Sequence, residues 1–114
     1  PKRPEDLMDH DLIGNDSNDL ILREMRRLGF LATRDSFVLR YDNQATYWEL
    51  LRQGCGIGFS QRCIAQDDPL VQELDLGLDL PHLPVWLTAH PSLRETPRLR
   101  RVWDLLAAEL GQLH

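Results

Sequence analysis

An α/β domain, with a mainly parallel sheet flanked by helices, is expected from two observations on this chain. The first is the order Phe37-Val-Leu-Arg-Tyr41, Asp42-Asn43, an amphipathic stretch to Gln53, then Gly54-Cys-Gly-Ile-Gly-Phe59-Ser60. It reads as a strand, a helix start, a helix and a glycine-marked turn into a second strand. The second is that strand and helix patterns keep alternating along the rest of the chain. In such a β-α-β unit, strand ends and helix N-termini gather on one edge, where polar or anionic ligands settle. Nothing in the stretch resembles reaction machinery. A sensing or binding role is therefore expected, not an enzyme.

Each element follows from its own residues. Pro4-Glu-Asp-Leu7 suits a single helical turn, with proline and acids at its start. Asp11-Leu-Ile-Gly14 is a short strand, and Asn15-Asp-Ser17 is a turn in which Ser17 is placed to cap the next helix. Ile21, Met25 and Leu28 recur at helical spacing, with Arg23, Glu24, Arg26 and Arg27 on the wet side and Gly29 as the left-handed end. Phe37, Leu39 and Tyr41 alternate with Val38 and Arg40, as in a strand with one face buried. Asp42 or Asn43 caps the following helix, whose apolar stripe is Tyr47, Trp48, Leu50 and Leu51, and Gly54 stops it. Ile57 and Phe59 read as the next strand, and Ser60 as the cap of a short helix to about Gln66. A further strand is expected around Leu70–Leu74. After Pro81-His-Leu-Pro84, Val85-Trp-Leu-Thr88 reads as a strand. Thr96-Pro97 then starts a last helix with Leu99, Val102, Trp103, Leu106 and Leu110 on one face.

Bulk properties narrow the function. At 114 residues the chain is one domain or one lobe of a larger protein. Its 18 acidic against 13 basic residues, net charge -5, argue against nucleic-acid binding by this segment itself. The apolar runs fall short of the roughly 18 residues of a membrane span, so no membrane partner is expected. The start, Pro1-Lys-Arg-Pro-Glu-Asp, is charged and lacks an initiating Met, as expected of a piece of a longer polypeptide. Cys55 and Cys63 fit neither a C-x-x-C pair nor a zinc knuckle. They read as free thiols of a cytosolic protein, with a reversible sensor disulfide as the sharper alternative.

Four pieces together resemble the C-terminal part of a LysR-type transcriptional regulator. They are Pro4-Glu-Asp-Leu…His10-Asp-Leu-Ile13, Leu50-Leu-Arg-Gln-Gly-Cys-Gly-Ile-Gly-Phe59, Pro84-Val-Trp-Leu-Thr-Ala-His90 and Pro97-Arg-Leu-Arg-Arg-Val-Trp-Asp-Leu-Leu106. The resemblance spans essentially the whole chain. It implies one lobe of a type II periplasmic-binding-protein-like fold, with residues 1–83 as the second regulatory subdomain and 84–114 as a closing strand and helix returning to the first lobe. It also implies a cytoplasmic homo-oligomer whose partners are a small-molecule effector and DNA, the latter only through an absent helix-turn-helix domain. Without the first lobe, Trp86, Trp103 or Leu106 is expected to expose apolar surface. Ser60-Gln61 stands where such regulators often carry a proline, which makes that corner more polar.

The candidate ligand-binding residues are Asp42, Asn43, Gln44, Phe59, Ser60 and Gln61. The first three sit where a strand meets a helix N-terminus, whose unpaired N–H groups suit a carboxylate or carbonyl. Capping alone explains Asp42 or Asn43 equally well. Phe59, Ser60 and Gln61 form the neighbouring strand-to-helix corner, where Ser60 is either a cap or a ligand contact. The Gly54–Gly58 run is not a dinucleotide loop, because its glycines follow a helix and precede a strand. Asp9-His10-Asp11 reads as a solvated turn, and His10, His82, His90 and His114 lack ligand spacing. No cofactor, metal or catalytic group is expected. Arg94, Arg98, Arg100 and Arg101 read as a solvated helix face or part of a subunit contact. Two other classes compete: a solute-binding lobe of a transport system, and a small α/β enzyme using Cys55 or Cys63.

Overall fold

The structure, a computed structural model, describes residues 1–94 and 96–112. The chain divides into two compact units, Pro1–Leu80 and Pro81–His114.

The first unit is built around one short strand. After a 3₁₀ turn over Pro4–Asp9, β1 (Leu12–Gly14) is buried at every position. Helix α1 spans Leu20–Arg27, β2 spans Phe37–Arg40, α2 spans Gln44–Arg52 and α3 spans Arg62–Ala65. β1 pairs in parallel with β2, in the register Leu12 to Phe37, Ile13 to Leu39 and Gly14 to Arg40. Its other edge makes a parallel bridge to Ile57, through Ile13 N–H to the Ile57 carbonyl and Ile57 N–H to the Asp11 carbonyl, each 2.8 Å. A parallel pair requires a crossover between its strands, and α1 and α2 supply the two here.

Burial on both faces explains why β1 reads Leu-Ile-Gly without alternation. On one face Leu12 joins Leu7, Met25, Ala32 and Phe37, with Ile57, Phe59, Leu76 and Leu78 packed around them. Gly14 lies on this face too, and a Cβ there would sit 2.7 Å from the Phe37 ring. Ile13, pointing the other way, is fully buried outside that cluster, as is Tyr47 of α2. Helices alternating with parallel strands are compatible with the expected α/β class on a small scale. Gly29, at φ +94°, ends α1 in the left-handed conformation expected of it.

Several local expectations give way to longer-range contacts. Ser17 does not cap α1; the Asn18 side chain accepts from the Leu20 N–H at 2.8 Å instead. The strand expected at Ile57 and Phe59 shrinks to the single bridge, because the Phe59 N–H donates to the Tyr47 hydroxyl. Leu70–Leu74 forms no strand. There the Leu70 N–H is captured by the Asp68 carboxylate and the Val71 N–H by the Asp68 carbonyl, which makes a turn. Ser60 caps nothing; Gln61 occupies the cap position of α3, without a side-chain bond.

In the second unit, α4 (Pro91–Arg94) precedes α5 (Pro97–Leu110), which begins at Thr96-Pro97 as expected, though the Thr96 side chain makes no capping bond. The strand expected at Val85–Thr88 is not formed. A strand exists only when paired, and among the described residues this unit holds none to pair with. Trp86 is 81% exposed, and Leu106 is exposed too, while Trp103 is half-buried. Arg98, Arg100 and Arg101 are exposed, and the side chain of Arg94 lies outside the described residues.

Candidate functional site

The carboxyl ends of β1, β2 and the Ile57 bridge all lead to one edge, since the three run parallel. The two predicted corners lie on that edge: Asp42, Asn43 and Gln44 after β2, and Phe59, Ser60 and Gln61 after the bridge. Their side chains do different things.

Asp42 holds the opposite loop. Its Oδ1 accepts from the backbone N–H of Asp16 at 2.9 Å and Asn18 at 3.3 Å, and its Oδ2 from that of Ser17 at 2.8 Å. Those bonds, the Ser17 N–H foremost, pull the carboxyl below its ordinary range against a smaller opposing effect of desolvation. Asn43 resolves the capping alternative. Its Oδ1 accepts from the Thr46 N–H at 3.0 Å, so Asn43 and not Asp42 caps α2. The side-chain NH₂ of Asn43 and the exposed Gln44 stand beside the first amides of α2, which have no intrahelical acceptor. Across the rim, Ser60 and Gln61 are exposed, whereas Phe59 is half-buried against the core.

Two features of this edge lay outside the sequence reading. The Tyr47 side chain, 3% exposed, donates its hydroxyl to the Ile13 carbonyl at 2.9 Å and accepts from the Phe59 N–H at 3.0 Å. Burial raises its phenol above the ordinary value, partly offset by the Phe59 N–H. Sequence periodicity marked Tyr47 only as part of an apolar stripe. A tyrosine among leucines on a buried face is the usual sign of a hydroxyl with a specific partner. The second feature is an ionic cluster behind the Asp16 loop. Arg34 pairs with the Asp16 carboxylate, Arg40 approaches it at 3.6 Å, and Arg40 also donates to the Arg34 carbonyl at 3.1 Å.

Two hollows of the first unit lie one beside these corners and one away from them. One of about 90 Å³ is lined by Asp16, Ser17, Asn18, Leu22, Arg34 and Phe37 among others, and a shallow one of about 520 Å³ by Arg26, Phe30 and Leu31. None of the six predicted residues lines either of these two hollows. Among the described residues no group of three or more His, Cys, Asp or Glu is placed to hold a metal, and His114 lies outside them. Cys55 and Cys63 are free thiols. No described helix is long and apolar enough to cross a membrane.

Helix starts at the carboxyl edge of parallel strands are where polar ligands settle in many α/β folds. The family model described as the LysR substrate binding domain matches residues 1–111, and the chain belongs to that family, the C-terminal effector-binding domain of LysR-type regulators. No curated protein and no solved structure matches the chain.

Proposed function

We propose that this chain senses a small polar or carboxylate-bearing metabolite on the rim between Asn43 and Gln61, and so controls DNA binding by a helix-turn-helix domain elsewhere in the full-length regulator. The observation that carries the reading is family membership over residues 1–111. In this reading residues 1–83 are the effector-binding lobe of a periplasmic-binding-protein-like pair. Residues 84–114 supply the strand and helix that return to the companion lobe, and Val85–Thr88 pairs only there. The protein acts in the cytoplasm as a homo-oligomer.

The geometry favours a division of labour within the rim. Asn43 NH₂, Gln44, the leading amides of α2, Ser60 Oγ and Gln61 supply hydrogen bonds to the effector. Asp42 orders the 16–18 loop, and Phe59 supplies an apolar flank. An anion at the start of α2 is favoured by the helix dipole without a dedicated cation. Binding shifts the population of lobe arrangements only as far as the effector prefers one of them. The test is a metabolite screen on the full-length protein, read by melting temperature and by operator affinity. A compound that shifts both, with the shift abolished in Ser60→Ala/Gln61→Ala, supports the reading. A full-length chain lacking a DNA-binding module, with no compound changing either readout, overturns it.

A further inference from the structure

Tyr47 ties the two corners of the rim together, one through its backbone and the other through its hydroxyl. Tyr47 sits one turn into α2, where its backbone N–H donates to the Asn43 carbonyl at 2.9 Å. Its hydroxyl is bonded to the Ile13 carbonyl in the central strand and to the Phe59 N–H, immediately before Ser60-Gln61. The glycine preceding Phe59 belongs to the same arrangement. A Cβ on Gly58 would run into the Tyr47 hydroxyl, lie 3.0 Å from its Cζ, and lie 2.8 Å from Leu51 Cδ2. The corner is thus held by a side chain from α2 at the point where a third strand would otherwise have continued its backbone ladder.

We propose that Tyr47 is the positioning residue of the rim: its hydroxyl holds the Phe59–Gln61 corner in register with the start of α2, so that both corners meet an effector as one surface. This rests on the reading of the rim given above. The Phe59 ring packs on the core, but the backbone of this corner is tied through the Phe59 N–H to Tyr47, and α3, which follows, is only four residues long. Releasing the hydroxyl therefore frees Ser60 and Gln61 without unfolding α2, whose cap, Asn43, is untouched.

The test uses the whole chain with Tyr47→Phe and Gly58→Ala, which disturb the same hydroxyl from opposite sides. Amide hydrogen exchange at Phe59 and backbone order parameters at Ser60 and Gln61 are compared with exchange at Met25 and Tyr41, in α1 and beside β2. Exchange at Phe59 is expected to rise about tenfold or more, with lower order at Ser60 and Gln61 and little change at the reference amides. Sodium acetate is then titrated while amide shifts are followed. Wild type is expected to respond at Gln44 and at Ser60–Gln61, and Tyr47→Phe at Gln44 alone. Unchanged exchange at Phe59, or a rise shared equally by the reference amides, overturns the assignment to Tyr47. No acetate response in wild type overturns the carboxylate reading of the rim, and the exchange comparison alone then decides Tyr47. If Tyr47→Phe does not fold, Gly58→Ala carries the same comparison.

Discussion

Substitutions at Asn43 separate its work for the fold from its work for a ligand. Its Oδ1 satisfies the Thr46 N–H at 3.0 Å, one of the four amides that a helix start leaves without an internal acceptor. Loss of such a cap costs about 0.5–2 kcal/mol. Thr46 is exposed, so water replaces part of the lost bond and the expected cost of Asn43→Ala is about 1 kcal/mol. For a unit the size of Pro1–Leu80 that is a fall of roughly 4–8 °C in melting temperature. Asn43→Asp keeps the cap oxygen and adds a charge that the start of α2 favours, so its stability is expected to match wild type or exceed it slightly. The same charge repels a carboxylate effector, so affinity is expected to drop about tenfold or more. Urea unfolding followed by circular dichroism, paired with the acetate titration, reads both effects. If Asn43→Asp is as unstable as Asn43→Ala, capping is not what Asn43 contributes. If Asn43→Asp binds acetate as wild type does, the effector does not sit at the start of α2.

Other perturbations have equally definite outcomes. Met25 is fully buried in the cluster between α1 and the sheet, so Met25→Ala is expected to cost about 2–5 kcal/mol in urea unfolding. Asp42 and Asp6 both have carboxyls held below their ordinary value, by the Ser17 N–H and the Lys2 N–H foremost. Groups shifted this way add stability above the unfolded value near 3.8 and lose it as pH falls through the lower folded value. Urea midpoints measured from pH 6 down to pH 2 are therefore expected to drop below about pH 4, and Asp42→Asn to flatten that drop.

The strands Leu12–Gly14 and Phe37–Arg40 and the helices α1, α2 and α5 were legible because their signals are local: alternation, helical spacing, Gly29, and Thr96 before Pro97. What was not legible depends on partners far along the chain. Asp42 looks like a cap from its neighbours alone, and only the fold brings Asp16, Ser17 and Asn18 to it. Tyr47 reads as apolar until its hydroxyl meets Ile13 and Phe59, and that meeting also cuts short the strand expected at Ile57–Phe59. Val85–Thr88 has strand composition, but composition supplies no partner. The two corners of the rim were found from the order of parts. The division of roles among their side chains was not, since it turns on which amides each oxygen reaches.

β1 is the earliest strand in this sequence and yet the central one of the sheet. Its two neighbours, β2 from Phe37 and the bridge at Ile57, both lie well downstream of it. Closing this sheet therefore requires two contacts distant along the chain, which makes it a non-local step.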